Sequence, residues 1–554
     1  MKSFFSRRLF FLSAIFSLSL LQACGGGGGG SAGSTGSGNS SSNNNGGNVS
    51  AQSVGTTIGT LNVGSSASVS FSGSSASVSF SDLTGSERFV VTLFSESTAT
   101  SSYPTRLSGS ESLAPADENG VVSAQLLKNF KKEEENENTI TEDFHEKLRE
   151  AEAALPLEEI RQQHTLSLSA VDHISPELSI GDTRSIKVLN SLSNTSDYST
   201  RTGRLVYQTA RFDFYVDTED QGALSTSDVQ SMADELEAHA TKEYATFGSV
   251  SDIDDNGKVN VFYTHILNGL AAGGIVTGYF FGGDLYDTYP SSNMGEFIYC
   301  HVPDDSGAHG VAIPHSFFMS NTGPLCAYHE LQHAINFNMK VFVNGGSPEP
   351  GPFNEGRSHL AEDLHNDFLR TSNENPSRVQ LCLSSSAIAS FASGTGLAQR
   401  GCSYLFHLYL YEQANNGRFS GISNGAALIY RTSNTALTGL DAITSATGET
   451  VESLVSDFFT AVYLSNTGLS SNPRYNFSNI NLRAAQDDNR GTVLSGPSVT
   501  TASSLPASGS IPGLSAAYFL VSGSTLSSAG NTLNISTTSS DMNPGARLIR
   551  IGDE

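Results

Sequence analysis

Five consecutive residues constrain this chain more than any others: His329-Glu330-Leu331-Gln332-His333, an H-E-x-x-H. On a helix, positions i and i+4 share a face, so both imidazoles can offer a nitrogen to one ion. Glu330 can reach a water held by that ion without binding the ion itself. Zinc lowers the pKa of such a water toward about 7, and a nearby carboxylate can take its proton. The flanks suit a buried helix, because Leu325, Ala327, Leu331, Ala334, Ile335 and Phe337 are apolar. A zinc site of this kind needs a third protein ligand and an open position. The extended H-E-x-x-H-x-x-G-x-x-H pattern fails, since Asn336 and Met339 stand where Gly and His are required. Glu355 is the favoured third ligand, with 21 residues between it and His333. Pro350 and Pro352 precede it and Arg357 to Leu369 reads as a helix, so Glu355 falls in a first turn aimed at the H-E-x-x-H helix. His359 and His365 are the remaining alternatives.

These residues resemble a gluzincin metallopeptidase, and the chain is similar to the hyicolysin family. The matching parts are the HELQH helix, Asn354-Glu355-Gly356 and Ala361-Glu362-Asp363-Leu364. Weaker matches are Gly278-Tyr279-Phe280, Ser292-Asn293-x-x-Glu296, and the Tyr-Leu-x-x-x-Tyr-Leu pattern between Gly401 and Glu412. Together they span about residues 200 to 470. The resemblance implies an α+β chain with a thermolysin-like catalytic domain: a small sheet over the H-E-x-x-H helix, a helical lobe below, and the cleft between. It implies one Zn2+ held by His329, His333 and Glu355. Glu330 is then the general base, and later the acid that protonates the leaving amine. Enzymes of this type add a Tyr or His that stabilises the oxyanion. Gln399 and Arg400 stand ahead of Gly401, so Tyr404 and His407 in the following helix are the catalytic candidates, with Arg400 an alternative. Packing and capping are equally good readings of Tyr404 and His407. Glu362, seven residues after Glu355, is the candidate to hydrogen-bond a ligand histidine, or else a surface carboxylate. Tyr299 is expected on a substrate-binding edge strand that holds an extended peptide by β-addition.

A net charge of −25 excludes the clustered Lys and Arg that phosphate binding needs. It equally excludes electrostatic docking on an anionic membrane. The expected partners are therefore protein or peptide substrates. Apolar residues make up 38% of the chain, enough for a core, while charged residues make up only 15%. Small polar residues in place of charges suit an exported, β-rich protein.

The amino end sets the expected compartment. Lys2, Arg7 and Arg8 precede an apolar run from Leu9 to Leu21, shorter than the roughly 20 residues a membrane span takes. It ends in Leu21-Gln22-Ala23-Cys24, which reads as a lipoprotein signal over 1–23 with Cys24 as the lipidated residue. Membrane attachment is expected only through that lipid. Ser6-Arg7-Arg8-Leu9-Phe10 also resembles a twin-arginine signal. Residues 24–50 form a Gly/Ser/Asn tether. Cys300, Cys326, Cys382 and Cys402 remain for two disulfides in any of three pairings.

Period-two alternation predicts a small β domain over 51–125 and a second β module over 475–554. Residues 126–165 read as a charged, solvated helical connector, with Phe144, Leu148, Ala151, Ala154 and Leu155 at helical spacing. A β-rich segment over 166–217 leads into a catalytic domain over 218–474. The stretch 51–200 is alternatively a propeptide. Asp252-Ile253-Asp254-Asp255-Asn256-Gly257 begins like a calcium loop, but Tyr263 stands where the bidentate Glu belongs. An Asp-rich turn is therefore favoured and calcium is left unsupported. The whole reads as a lipid-anchored zinc endopeptidase. The alternatives are a surface binding or adhesion lipoprotein with a silent peptidase-like domain, and a zinc hydrolase acting on another bond. The presence of Glu330 beside the ligands favours the enzyme.

Overall fold

The Ser-rich alternation at both ends does form strands, and the two ends pair with each other. A computed structural model describes residues 55–110, 139–167, 178–270, 274–365, 374–385, 387–483 and 492–554. Cys24 and the tether lie outside them. In chain order come β1 (Gly55–Ile58), β2 (Ser66–Val69), β3 (Ser75–Phe80), β4 (Glu87–Ser95) and β5 (Ser102–Ser108). Helices α1 (Thr139–Ala153) and α2 (Leu157–Ser167) follow. Then come β6 (Thr183–Leu189), β7 (Tyr198–Gln208), β8 (Phe212–Asp217), α3 (Thr226–Phe247), β9 (Val259–Tyr263), β10 (Gly278–Phe280) and β11 (Phe297–Cys300). The helical part comprises α4 (Gly323–Phe337), α5 (Gly351–His365), α6 (Asn375–Ser384), α7 (Leu397–Asn415), α8 (Gly425–Ser433), α9 (Gly439–Thr447) and α10 (Val451–Leu464). The chain closes with β12 (Val499–Thr501), β13 (Ala507–Pro512), β14 (Ala516–Ser522), β15 (Thr532–Thr537) and β16 (Pro544–Asp553). The chain is α+β, as expected.

The terminal strands interleave in two sheets, β1-β3-β15-β5-β13 and β12-β14-β4-β16-β2. The two expected modules, 51–125 and 475–554, are thus one body. Ser on alternate positions faces outward while Val78, Val91, Leu107, Val521, Ile535 and Leu548 fill the space within. β4 explains why the pieces cannot stand apart. It lies between β14 and β16, and its run Phe89-Val90-Val91-Thr92-Leu93-Phe94 is buried on both faces. Phe89, Val91 and Leu93 face the terminal core. Val90 and Phe94 pack into the helical lobe, where the Phe94 and Phe459 rings are 6.0 Å apart. A strand covered on both faces reads as a continuous apolar run rather than an alternation. The stretch 51–200 supplies β4 to this body and β6 to the next sheet.

That next sheet has the order β10-β11-β9-β8-β7-β6. It therefore starts at Thr183, so the segment expected to lead into the catalytic domain is part of it. α3 begins at a capping box formed by Ser225 and Asp228. α4, which carries the H-E-x-x-H, has Pro324 in its first turn and is buried without interruption from Cys326 to Phe337. It packs against β10 and β11 on one side and α5 on the other. A disulfide joins Cys300 of β11 to Cys326 of α4, and a second joins Cys382 of α6 to Cys402 of α7. Among the described residues no helix is long and apolar enough to cross a membrane.

Candidate metal centre

His329 and His333 are one turn apart on α4, and Glu355 comes from the first turn of α5. Two glycines permit this approach. A Cβ on Gly356 would fall 2.3 Å from Ser403 Oγ, so the residue after Glu355 must be small for α5 to touch α7. A Cβ on Gly278 would fall 2.3 Å from Cys326 Sγ and 3.3 Å from Glu330 Cγ, so β10 can lie directly on the catalytic helix.

His329 Nε2 is 3.3 Å from Glu355 Oε2, and His333 Nε2 is 3.5 Å from Glu355 Oε1. All three residues are buried. His329 Nε2 and both Glu355 oxygens have no well-aligned hydrogen-bond partner among the described residues. Ligands about 2.0–2.2 Å from a tetrahedral zinc are roughly 3.3–3.5 Å from one another. Two imidazoles and one carboxylate at these separations are a donor set that fits zinc.

Neighbouring side chains hold the two imidazoles. Glu362 Oε1 accepts the Nδ1–H of His329 and that of His359, each at 2.9 Å. His333 Nδ1 lies 3.2 Å from Ser358 Oγ, whose own hydroxyl donates to Gln332. His329 is thus held through Nδ1 with Nε2 toward Glu355, while Ser358 Oγ lies beside the His333 ring, 3.2 Å from Nδ1 and 3.4 Å from Nε2. Burial acts to raise the Glu355 carboxyl, but Arg400 and His145 beside it hold it well below the usual carboxylate range. Arg400 Nη1 is 3.3 Å from Glu355 Oε2. Glu330 Oε2 accepts the backbone N–H of Phe280 at 2.9 Å. Burial pushes this carboxyl up to about 7, against the pull of His329 and Arg149.

Other expected residues lie elsewhere. The Tyr404 hydroxyl donates to Asp363, and His407 Nδ1–H donates to Ser403 O at 2.8 Å. Neither partner is a ligand, whereas Arg400, the alternative one turn earlier, reaches Glu355. Tyr299 is on β11, inside the sheet. Its hydroxyl donates to Asp284 at 2.7 Å, and the edge strand of the sheet is β10.

Sequence reasoning missed α1. The expected solvated connector buries His145, Arg149 and Glu152. His145 Nδ1 is 3.5 Å from Glu355 Oε1. Arg149 donates to Phe280 O at 2.7 Å, and Glu152 accepts from Gly282 N at 2.8 Å. Arg149 and Glu152 also pair with each other at 2.8 Å. The signal was their spacing, i, i+4 and i+7, on the face that also carries Leu148 and Leu155. Charged side chains there read as solvent-facing.

The α+β fold and the site are consistent with a metalloprotease-like domain. No family model matches the chain. It is 30% identical over 182 residues to the neutral metalloprotease ShpI of Staphylococcus hyicus, a match covering 31% of this chain and 39% of that protein. The chain thus spans about two fifths of that relative's length. The likeness supports a hydrolase of the metalloprotease type, with a metal implied.

Proposed function

We propose that this protein is a zinc-dependent endopeptidase with a thermolysin-like catalytic domain, exported and held at the cell envelope by a lipid on Cys24. The observation that carries the catalytic reading is the convergence of His329 Nε2, His333 Nε2 and the Glu355 carboxylate beside Glu330. His329, His333 and Glu355 hold the ion. When bound, zinc supplies Lewis acidity at the scissile carbonyl and acidifies the attacking water. Glu330 is placed to take a proton from an attacking water and to return it to the leaving amine. Glu362 and Ser358 orient the two imidazoles. Arg400 stands where positive charge can meet a developing oxyanion.

In this form α1 lies where substrate belongs. Arg149 and Glu152 occupy the outward main-chain groups of Phe280 and Gly282, which an added peptide strand would need. We infer that the chain described here is latent, with α1 covering the edge that substrate would use. Replacing Arg149 and Glu152 together by Ala tests this: peptide cleavage rises in the variant while bound zinc stays at one per chain. Unchanged cleavage by a folded variant overturns the latency.

A further inference from the structure

Three acidic residues outside the catalytic centre converge. The loop from Asp252 to Gly257 closes tightly, with positive φ at Asp255 and Gly257. Asp252 Oδ1 accepts the backbone N–H groups of Asn256 and Gly257, both at 3.0 Å. The residue twelve places into a calcium loop, Tyr263, is in β9 and buried, so the local sequence cannot complete the site. The missing carboxylate arrives from another strand. Glu296 directly precedes β11, which pairs parallel to β9 with Phe297 opposite Asn260. Asn260 donates to Glu296 O through both its backbone N, at 2.7 Å, and its Nδ2, at 3.2 Å, and so pins Glu296 at the loop.

One oxygen from each of Asp252, Asp254 and Glu296 lies within 4.8 Å of the others. Glu296 is 1% exposed and Asp254 is 7% exposed. Glu296 Oε1 accepts from Ser251 Oγ at 2.6 Å and Ile253 N at 3.0 Å, but Oε2 has no hydrogen-bond partner among the described residues. Asp254 Oδ2 accepts from Asn256 Nδ2 at 2.7 Å, but Oδ1 has no such partner. Positive charge nearby is largely engaged. Lys258 is bound to Asp213 at 2.7 Å, and Arg184 lies over the Phe297 ring at 4.9 Å with Nη1 3.4 Å from Asn260 Oδ1. Gathered carboxylates with orphaned oxygens cost free energy unless protonated or met by a cation. Burial, with Asp252 adding to it, pushes Asp254 up to about 6. Burial, with Asp254 adding to it, pushes Glu296 up to about 7.

We propose that Asp252, Asp254 and Glu296 form a calcium site, a second metal centre separate from the one around His329. The donors are all hard oxygens. Three oxygens that lie within 4.8 Å of one another can share one calcium at about 2.3–2.6 Å, whereas magnesium gives up its waters reluctantly and is seldom held by protein oxygens alone. The site ties the loop before β9 to the start of β11. These two strands carry β10, which contacts Glu330.

The test is calcium titration of the zinc-loaded full chain in calcium-free buffer, by calorimetry, beside Glu296→Gln and Asp254→Asn. The expected result is one Ca2+ per chain, with a Kd between about 10⁻⁶ and 10⁻³ M, at least about tenfold tighter than Mg2+. Each variant weakens calcium by about tenfold or more and keeps its zinc. Because a variant can fail to fold, the melting temperature of the unmodified chain is also measured with and without calcium, and it rises with calcium. The proposal is overturned if the unmodified chain takes up no calcium and melts unchanged, if magnesium binds as tightly, or if folded variants bind calcium as the unmodified chain does. None of these readouts depends on peptide cleavage.

Discussion

The His329–His333–Glu355 cluster and the Asp252–Asp254–Glu296 cluster are assembled by different routes. In the first, two ligands share one helix face and the third begins the next helix. Helical periodicity alone brings the first two together, and the third needs only a helical hairpin between α4 and α5. In the second, a tight loop supplies two carboxylates and strand pairing delivers the third from 42 residues beyond Asp254. A local motif search sees the first site almost entirely and only half of the second. Two imidazoles beside one carboxylate suit zinc in one, and oxygens alone suit calcium in the other.

The largest expected effect breaks the first cluster. His333→Ala removes a ligand and leaves Glu355 facing one histidine. We expect bound zinc to fall well below one per chain by metal analysis, and peptide cleavage to vanish with it. Glu362→Ala is milder. It frees His329 Nδ1, and loss of such a partner typically lowers metal affinity about 10–100-fold. Competition with a chromogenic chelator measures this. If zinc affinity is unchanged, Glu362 is merely packed against His359.

The second cluster responds in stability rather than in chemistry. Calcium at about one hundred times its Kd adds about 2.7 kcal/mol to the folded state. We expect thermal melting of the unmodified chain to shift upward by a few degrees, and Glu296→Gln to lose most of that shift. The smallest effect is on pH. The raised carboxyls of Asp254 and Glu296 bind protons more readily in the folded chain than in the unfolded chain, where carboxyls titrate near about 4. Asp252 and Arg184 face this pair, and Tyr215 and Tyr244 feel its charge. Without calcium these two groups therefore favour the fold more at pH 5 than at pH 8. Calcium must displace those protons. Its melting increment should be greatest near pH 8 and shrink as pH falls through 7 toward 6. A calcium increment that grows toward pH 5 contradicts this account.

Legibility followed the range of the interactions. The α4 helix, its two histidines and the third ligand were readable because each depends on a few neighbouring residues. Arg400 was visible only as an alternative, since nothing local distinguishes it from a surface arginine. The buried face of α1 was misread because His145, Arg149 and Glu152 look solvated until β10 and Glu355 are placed against them. The terminal strands were recognisable from Ala67-Ser68-Val69, but alternation specifies a face and not a partner. Their partners are more than 400 residues away, as in β3 with β15. The Asp252–Gly257 turn teaches the same lesson: it is legible locally, whereas Glu296 reaches it only through β-sheet register.

The most direct test of the central claim is cleavage of a quenched peptide library by the full chain opened with Arg149→Ala and Glu152→Ala, with and without Glu330→Ala. Zinc is determined in both. We predict that the opened chain cleaves, that loss of Glu330 lowers the rate by about 10²-fold or more, and that both hold one zinc. Zinc bound without cleavage, or cleavage that survives the loss of Glu330, contradicts the endopeptidase reading. Absence of zinc contradicts the ligand assignment.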